Sequence, residues 1–185
     1  SDTLQVSDVV GGEGTALFEA ASAQGLEGIV AKKRGSVYRP GRRSKDWLKI
    51  KTVKDADVVI GGWTPGEGSR SQTFGALLVG AYTDEGLVFL GAVGTGFSEA
   101  TLAALMPKLR ALEATTCPFV DDPTGKRSGT FGKTIRSPHW VAPELVATIA
   151  YRELTSGYRF RAPSFKGLRD DLDPADCLLS DLVPA

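Results

Sequence analysis

The residues best suited to carry chemistry lie near residues 27 to 54, where positive charge is concentrated. Ten lysines and arginines occur between residues 32 and 54 against one acid, Asp46, although the chain of 185 residues has a formal net charge of zero. Short apolar runs, IVA and WLKI, interrupt the charge. A solvated charge run does not need such apolar runs, whereas a phosphate site built between strands needs both. The pattern therefore indicates a site for a phosphate-bearing ligand.

Two lysines in this stretch have the spacing of one strand face. In DWLKIKT, Lys49 and Lys51 alternate with Leu48 and Ile50. Successive side chains of a strand point to opposite faces, so we expect both ammonium groups on one face and both apolar side chains on the other. A second apolar run, LEGIVAK, predicts a further strand after a short helix that ends at Gly25.

The remainder of the chain predicts a separate β-rich segment. Three apolar strands are separated by the turn sequences PGEGS and TDEG. Ser98 then marks the start of a helix, in which Pro107 predicts a kink or two short helices. A polar loop leads to two more strand candidates, WVAPELVATIAYREL and YRFRAP. This is the element order of an OB-fold, a small barrel that binds nucleic acid. The predicted fold class is mainly β with helices: a partial α/β segment followed by an OB-fold β-barrel.

Three motifs in this order carry a resemblance to a known family. Glu27-Gly28-x-x-x-Lys32 and WLKIK, residues 47–51, are similar to two motifs of the covalent nucleotidyltransferases. RAPSFKGLR, residues 161–169, resembles the last motif of ATP-dependent DNA ligases, and SVYRPGRRSKDWLKIK most resembles the ligase domain of bacterial end-joining DNA ligases. The resemblance implies that residues 1–53 are the C-terminal remnant of an adenylation (nucleotidyltransferase) domain and that residues 54–185 are the OB-fold domain.

The resemblance also implies roles for individual residues. Glu27 would coordinate Mg²⁺ or Mn²⁺, while Lys32, Lys49 and Lys51 would contact the phosphate of ATP. Arg161 and Arg169 would close over ATP and orient its pyrophosphate leaving group, as guanidinium forks suit phosphate oxygens. The catalytic set implied in this way is Lys49, Lys51, Arg161 and Arg169.

These assignments have simpler alternatives. The lysines of a KxK sequence are most often a solvated strand face, and a late arginine can pair with the acidic tail that carries Asp170 and Asp171. Glu27 and Lys32 are five residues apart, so in a regular strand they face opposite sides. They reach one site only if the strand bends, for which Gly28 supplies the freedom.

The chain departs from the family pattern at its most important residue. The nucleophilic lysine of the family lies in a KxDG motif, which occurs nowhere in these 185 residues; the nearest sequence, KDAD at residues 54–57, lacks the glycine. We therefore expect a C-terminal fragment of a ligase that is inactive alone, with the N-terminal half of the adenylation domain as its missing partner. RDDLDP, which begins at Arg169, also lacks a lysine that relatives often carry there.

The expected nucleic-acid partner is nicked duplex DNA. Its phosphates would be contacted by basic loop residues, namely Arg42, Arg43, Lys126, Arg127, Lys133 and Arg136. An alternative function is a stand-alone OB-fold module that binds DNA or a protein without catalysis. A capping enzyme or RNA ligase shares the first two motifs, but the R-x-P-x-F-x-G-x-R pattern of residues 161–169 favours a DNA ligase.

Composition adds expectations about the compartment and the unused residues. Cys117 and Cys177 fit no metal-binding spacing and predict reduced thiols, as in a cytoplasm. The resemblance to bacterial end-joining ligases implies that this is a bacterial cytoplasm, where the protein would associate with the nucleoid. No apolar run approaches the roughly 18 residues that a membrane span requires. The single histidine, His139, has no companion ligand in sequence, so we expect a structural role for it.

Overall fold

The computed structural model describes residues 9–121, 123–124 and 135–183. Over these residues the chain separates into two units, Ser1–Thr52 and Val53–Ala185. None of the helices in this part of the chain has the length and apolar character needed to cross a bilayer.

The first unit contains one helix and a pair of antiparallel strands. Helix α1 spans Gly14–Ala23, strand β1 spans Gly28–Lys32 and strand β2 spans Trp47–Lys51. The helix ends as expected at Gly25, which adopts a φ of +69° and donates its N–H to the carbonyl of Ser22. Among residues 9–52, only Ala21 is fully buried, because two strands and a ten-residue helix cannot enclose a core.

The second unit is built on a curled antiparallel sheet. Its longer elements are β3 (Lys54–Pro65), β4 (Phe74–Thr83), β5 (Gly86–Val93), α2 (Glu99–Ala111), β7 (His139–Tyr151) and β10 (Ser164–Arg169). The short strands are β6 (Glu113–Ala114), β8 (Glu153–Leu154) and β9 (Phe160–Arg161). The sheet order is β10-β7-β3-β4-β5, β6 pairs with β7, and β8 and β9 form their own hairpin.

The curl of this sheet has identifiable causes. Extra residues interrupt the ladders at Gly61 in β3, at Leu90 in β5 and at Lys166 in β10. Such bulges bend a strand and increase its twist. The curl brings the two ends of the sheet together, where the N–H of Phe165 donates to the carbonyl of Thr95 at 2.9 Å. The expected OB-like arrangement is therefore present, and the described residues as a whole are mainly β structure with two α-helices.

Apolar side chains are buried on both faces of the sheet. On one face, Phe74, Leu77 and Ile149 form the larger cluster together with the buried side of α2. On the other face, Phe89 and Phe119 belong to a second cluster. Burial on both sides explains why β3 reads as a continuous apolar run rather than as an alternating one.

Helix α2 corrects one expectation from the sequence. Ser98 caps it as predicted, since its hydroxyl accepts the N–H of Thr101 at 3.1 Å. Pro107, however, lies inside a continuous helix of 13 residues. Its ring is on the exposed side, where solvent can bond the carbonyl left without a donor, while Leu105 and Leu109 keep the opposite side buried.

Cys177 is a free thiol that is buried in the second cluster. Its burial, helped by the charges of Asp57 and Asp176, raises the pKa of its thiol from 9.0 to about 11. A raised thiol pKa means that the neutral form stabilises the fold below pH 9 and that this contribution is lost as the pH rises from 9 through 11.

We expect iodoacetamide to alkylate Cys177 at pH 8 about 100-fold more slowly in the folded chain than in the urea-unfolded chain. The reason is that the rise of the thiol pKa from 9.0 to about 11 lowers the fraction of reactive thiolate at this pH by that factor. Mass spectrometry of quenched samples measures the rate at each cysteine, and Cys117 is the internal comparison. Equal rates of Cys177 alkylation in the two states would show that its thiol is accessible and ordinary.

Candidate functional site

The lysines of the first unit lie on one face of the β1–β2 pair. The register places Gly28 opposite Lys51, Val30 opposite Lys49, and Lys32 opposite Trp47. Opposed residues share a face, and alternate residues of a strand do too, so all three lysines project from the same side. Leu48 and Ile50 occupy the other side, as the alternation in the sequence predicted.

An open concavity of about 120 Å³ lies at the end of this lysine-bearing pair of strands. Three of its lining residues have charged side chains, namely Glu27, Lys49 and Lys51. Two cations beside one carboxylate suit a ligand that brings phosphate oxygens and a divalent cation together. The remaining lining residues are Gly28, Ile29, Val30 and Ile50.

Glu27 meets Lys51 because the backbone at Gly28 takes a conformation that other residues avoid. The φ of Gly28 is +141°, and a Cβ built there would lie 2.1 Å from the carbonyl oxygen of Ile50. Without a side chain at this position the two strands approach closely. The carboxylate of Glu27 then forms an ion pair with the ammonium of Lys51, whose side chain is 32% exposed compared with 79% for Glu27.

Lys32 makes a different contact at the other end of the ladder. Its ammonium lies 4.4 Å from the centre of the Trp47 ring, a cation–π distance. The indole N–H of Trp47 donates to the hydroxyl of Ser36 at 3.0 Å, and the ring packs against Tyr38. Trp47 therefore anchors the loop between β1 and β2, and Lys32 shares a strand face with the concavity while its ammonium rests on this aromatic ring.

The two late arginines are paired with acids inside the second unit. Arg161 bonds Glu153 at 2.8 Å across the β8–β9 hairpin. Arg169 makes a bidentate pair with Asp171, at 2.8 and 2.9 Å, and reaches Asp57 at 3.0 Å. The hydrogen bonds from Arg169 lower the pKa of Asp171, and those acids raise the pKa of Arg169. The pairing with Asp171 is the contact that the acidic-tail alternative predicts.

Two acids of β3 that the sequence analysis did not assign hold cations of the last motif. Asp57 accepts from both Arg169 and Thr148, and Asp55 pairs with Lys166 at 3.1 Å. The two acids share one face of β3, and β7 lies between that strand and β10. The D-x-D alternation of Asp55 and Asp57 in a strand is the sequence signal that places both carboxylates on one face, where they can pair with cations.

A further unassigned residue, Arg159, fastens the loop that follows β6. Its guanidinium pairs with Asp121 at 2.9 Å and lies 5.1 Å from the centre of the Phe89 ring. Asp121 in turn accepts the N–H of Phe89 at 2.7 Å. The charge of this arginine is thus used to hold the fold.

The expected DNA-contact residues fall partly within the described chain. Arg42 and Arg43 are exposed in the loop between β1 and β2, where the N–H of Arg42 closes a turn onto the carbonyl of Arg39. Arg136 is exposed just before β7. The other three, Lys126, Arg127 and Lys133, lie outside the described residues.

His139 has the structural role that its isolation in the sequence predicted. Its ring stacks on Trp63 with 4.0 Å between ring centres and 7° between planes, and its Nδ1 lies 2.8 Å from Glu113. The two aromatic residues are cross-strand partners on β3 and β7.

Comparison with protein families identifies what this architecture belongs to. Residues 70–172 match the model described as the ATP dependent DNA ligase C terminal region, and residues 4–51 match the ATP dependent DNA ligase domain. The chain belongs to the ATP-dependent DNA ligase family. Members of this family are enzymes that use ATP, and the family resemblance read from the three motifs is confirmed.

Individual relatives refine the comparison within the ligase family. The multifunctional non-homologous end joining protein LigD of Mycolicibacterium smegmatis is 44% identical over 171 residues, and the LigD of Mycobacterium tuberculosis H37Rv is 41% identical over 174 residues. These alignments cover 92% and 94% of this chain but 22% of each relative. The chain thus spans about a fifth of the length of these curated ligases.

Solved ligase structures support the same fold. The ligase domain of M. tuberculosis LigD matches 95% of this chain and 55% of its own, with a TM-score of 0.63 and 40% identity. A mycobacterial DNA ligase D complexed with ATP and MES matches 95% of this chain and 54% of its own, with a TM-score of 0.58 and 38% identity.

Proposed function

We propose that this chain is part of an ATP-dependent DNA ligase that seals nicks in duplex DNA during non-homologous end joining. The observation that carries the proposal is the concavity shared by Glu27, Lys49 and Lys51, which are the charged residues of two ligase motifs. The names of the LigD relatives support end joining as the setting. The substrate is then the DNA of a bacterial nucleoid in the cytoplasm.

We assign the two parts of the chain to two domains of an ATP-dependent DNA ligase. Residues 1–53 are proposed as the C-terminal part of the adenylation domain, supported by the ligase-domain match over residues 4–51. Residues 54–185 are proposed as the OB-fold domain, supported by the curled sheet and the match over residues 70–172.

The proposed reaction needs a lysine from sequence outside these 185 residues. Its amine attacks the α-phosphorus of ATP, forms a P–N bond and displaces pyrophosphate. The AMP group passes to the 5′-phosphate of the nick, and the 3′-hydroxyl then displaces it to close the strand. Lys49 and Lys51 stabilise charge on the α-phosphate, Lys32 adds a third cation, and Arg161 and Arg169 orient the pyrophosphate.

The charged residues of the concavity are compatible with a divalent metal bound largely by the substrate. In the described part of the chain, no group of three or more His, Cys, Asp or Glu side chains could hold a metal ion. Mg²⁺ commonly takes one or two carboxylates together with phosphates and waters, which suits a single acid such as Glu27. When bound there, Mg²⁺ or Mn²⁺ supplies Lewis-acid stabilisation of charge on the phosphate.

A chimaera tests the proposed function directly. These 185 residues replace the aligned segment of M. smegmatis LigD, and the product is assayed for sealing of a 5′-phosphorylated nick with ATP and Mg²⁺. We expect sealing by the chimaera. A chimaera that has the circular-dichroism spectrum and the melting temperature of the parent but leaves the nick open would contradict the assignment.

The chain alone is proposed to be inactive, because a covalent lysyl-AMP requires a lysine held against the α-phosphate. After incubation with α-labelled ATP and Mg²⁺ followed by denaturation, we expect no label on the 185-residue chain. A labelled band would show that a lysine within these residues is the nucleophile.

A binding module without catalysis is the second candidate function, favoured by the absence of KxDG from these residues. It predicts that the 185-residue chain binds nicked duplex at low salt and that the chimaera fails to seal. If the chain is instead part of a catalytic ligase, the chimaera should seal the nick in addition to any such binding.

Binding by the chain is expected to depend on salt through the exposed arginines of the β1–β2 loop. Each phosphate contact contributes about 0.9 to the slope of log affinity against log salt concentration. The double variant Arg42→Ala/Arg43→Ala should therefore lower this slope by about 2. Fluorescence anisotropy with a labelled nicked duplex measures it, and Arg110→Ala, an exposed arginine of α2, is the matched control. An unchanged slope for the double variant would remove both arginines from the DNA interface.

A further inference from the structure

The ion pair between Glu27 and Lys51 places the two proposed ligand-binding groups in contact with each other. The acid is assigned to a divalent metal and the lysine to a phosphate, yet in this structure the two side chains form an ion pair with each other. Lys49 lines the same concavity, so its three charged side chains together carry one net positive charge.

A pair of this kind resists binding of a divalent cation on its own. The metal needs a carboxylate oxygen of Glu27, while the ammonium of Lys51 holds that carboxylate and repels a second cation. A phosphate group changes this balance. Its oxygens offer Lys51 another anionic partner, and they also offer the metal further hard oxygen ligands.

The backbone favours the pair in the absence of ligand. Gly28 lies directly opposite Lys51 and allows the strands to approach so closely that Glu27, the preceding residue, reaches the ammonium. The side chain of Glu27 is 79% exposed, so its carboxylate can turn towards a ligand without leaving a buried site. The pair is thus held by local geometry but not enclosed by the fold.

We propose that the Glu27–Lys51 pair is an exchange switch that couples the metal to the nucleotide phosphate. Phosphate takes Lys51, which frees Glu27 for the metal, so each ligand raises the affinity for the other by the same factor. Metal without phosphate binds weakly. This inference rests on the proposed function, since it uses the phosphate and metal roles assigned there, and it adds the linkage between them.

Binding of Mn²⁺ to the 185-residue chain tests the switch, with free Mn²⁺ measured by electron paramagnetic resonance. Lys51→Met should raise the Mn²⁺ affinity at least fivefold, and Lys51→Gln is a second neutral variant. Lys49→Met removes the same charge from the same concavity but leaves the Glu27–Lys51 contact in place, so its gain in Mn²⁺ affinity should be clearly smaller than that of Lys51→Met. Adding Glu27→Gln to Lys51→Met should abolish the gain.

The phosphate side of the linkage is tested with AMP, which carries one phosphate and whose own weak Mn²⁺ binding is subtracted. AMP should raise the Mn²⁺ affinity of the unmodified chain by a larger factor than that of Lys51→Met, in which no ion pair has to be broken. Three results would overturn the switch: equal effects of the two lysine variants, no gain in Lys51→Met, or no AMP effect on the unmodified chain.

These outcomes are separate from those of the proposed function. If the chimaera seals nicks but the Mn²⁺ measurements show no linkage, the protein is a ligase in which the Glu27–Lys51 ion pair does not exchange. If the chimaera fails to seal nicks but the linkage is present, the chain binds metal and phosphate together without taking part in ligation.

Discussion

Lys51→Met is expected to lower nick sealing by the LigD chimaera by about 100-fold to 1,000-fold. Removal of one fixed group that stabilises charge in a transition state typically costs that much in rate. Lys51 is the less exposed member of its ion pair and lines the concavity, so its ammonium is more fixed in position than that of a fully exposed lysine. The rate of sealing in a single turnover, with the chimaera in excess over the nick, measures the effect.

Lys108→Met is the matched control for this result. Lys108 lies on α2 with its side chain 48% exposed and a distant pairing to Asp170 at 3.8 Å. The same change of residue type there should leave the sealing rate within twofold. If both variants seal at the rate of the parent chimaera, Lys51 does not contact the reacting phosphate.

Gly28→Ala is expected to disrupt the β1–β2 pair and to abolish sealing together with it. An alanine at a φ of +141° is strained by about 1–3 kcal/mol, and its Cβ would lie 2.1 Å from the carbonyl oxygen of Ile50. A two-stranded sheet has little stability with which to absorb such a cost. Amide hydrogen exchange of residues 28–32 and 47–51 should lose its protection.

Gly35→Ala separates backbone strain from steric overlap. Gly35 has a φ of +73°, but a Cβ built there meets no atom within 4 Å. Its replacement should therefore cost about 1 kcal/mol and leave the exchange protection of β1 and β2 detectable. Protection of β3 and β4 in the second unit should be unchanged in both variants. Equal loss of β1–β2 protection in the two alanine variants would mean that the close approach at Gly28 is not the cause.

Local signals in the sequence were sufficient where one short segment decides the structure. The Ser98 cap, the helix stop at Gly25 and the TDEG hairpin all appear where predicted, since each depends on hydrogen bonds or dihedral angles within a few residues. The face shared by Lys49 and Lys51 follows from strand alternation alone. Pro107 does not divide α2 into two short helices, one of the two outcomes predicted for it, because it lies on the side of the helix that faces away from the core.

Pairings between distant residues could not be read from the sequence in the same way. Asp55 and Asp57 meet Lys166 and Arg169 only because β7 brings β3 and β10 to its two sides, across more than 100 residues of chain. Arg159 could have been a phosphate ligand by its type, and its use in holding Asp121 depends on where a loop folds back.

The sequence by itself determined the family, the OB-like order of elements and the charged residues of the proposed phosphate site, since motif sequence and strand periodicity are properties of a linear chain. Only the tertiary structure decided which partner each of those charged side chains contacts. It paired Glu27 with Lys51, rested Lys32 on Trp47 and gave each late arginine an acidic partner. The physical reason is that an ion pair depends on a separation of a few ångströms, which is set by strand register and by close approach at a glycine.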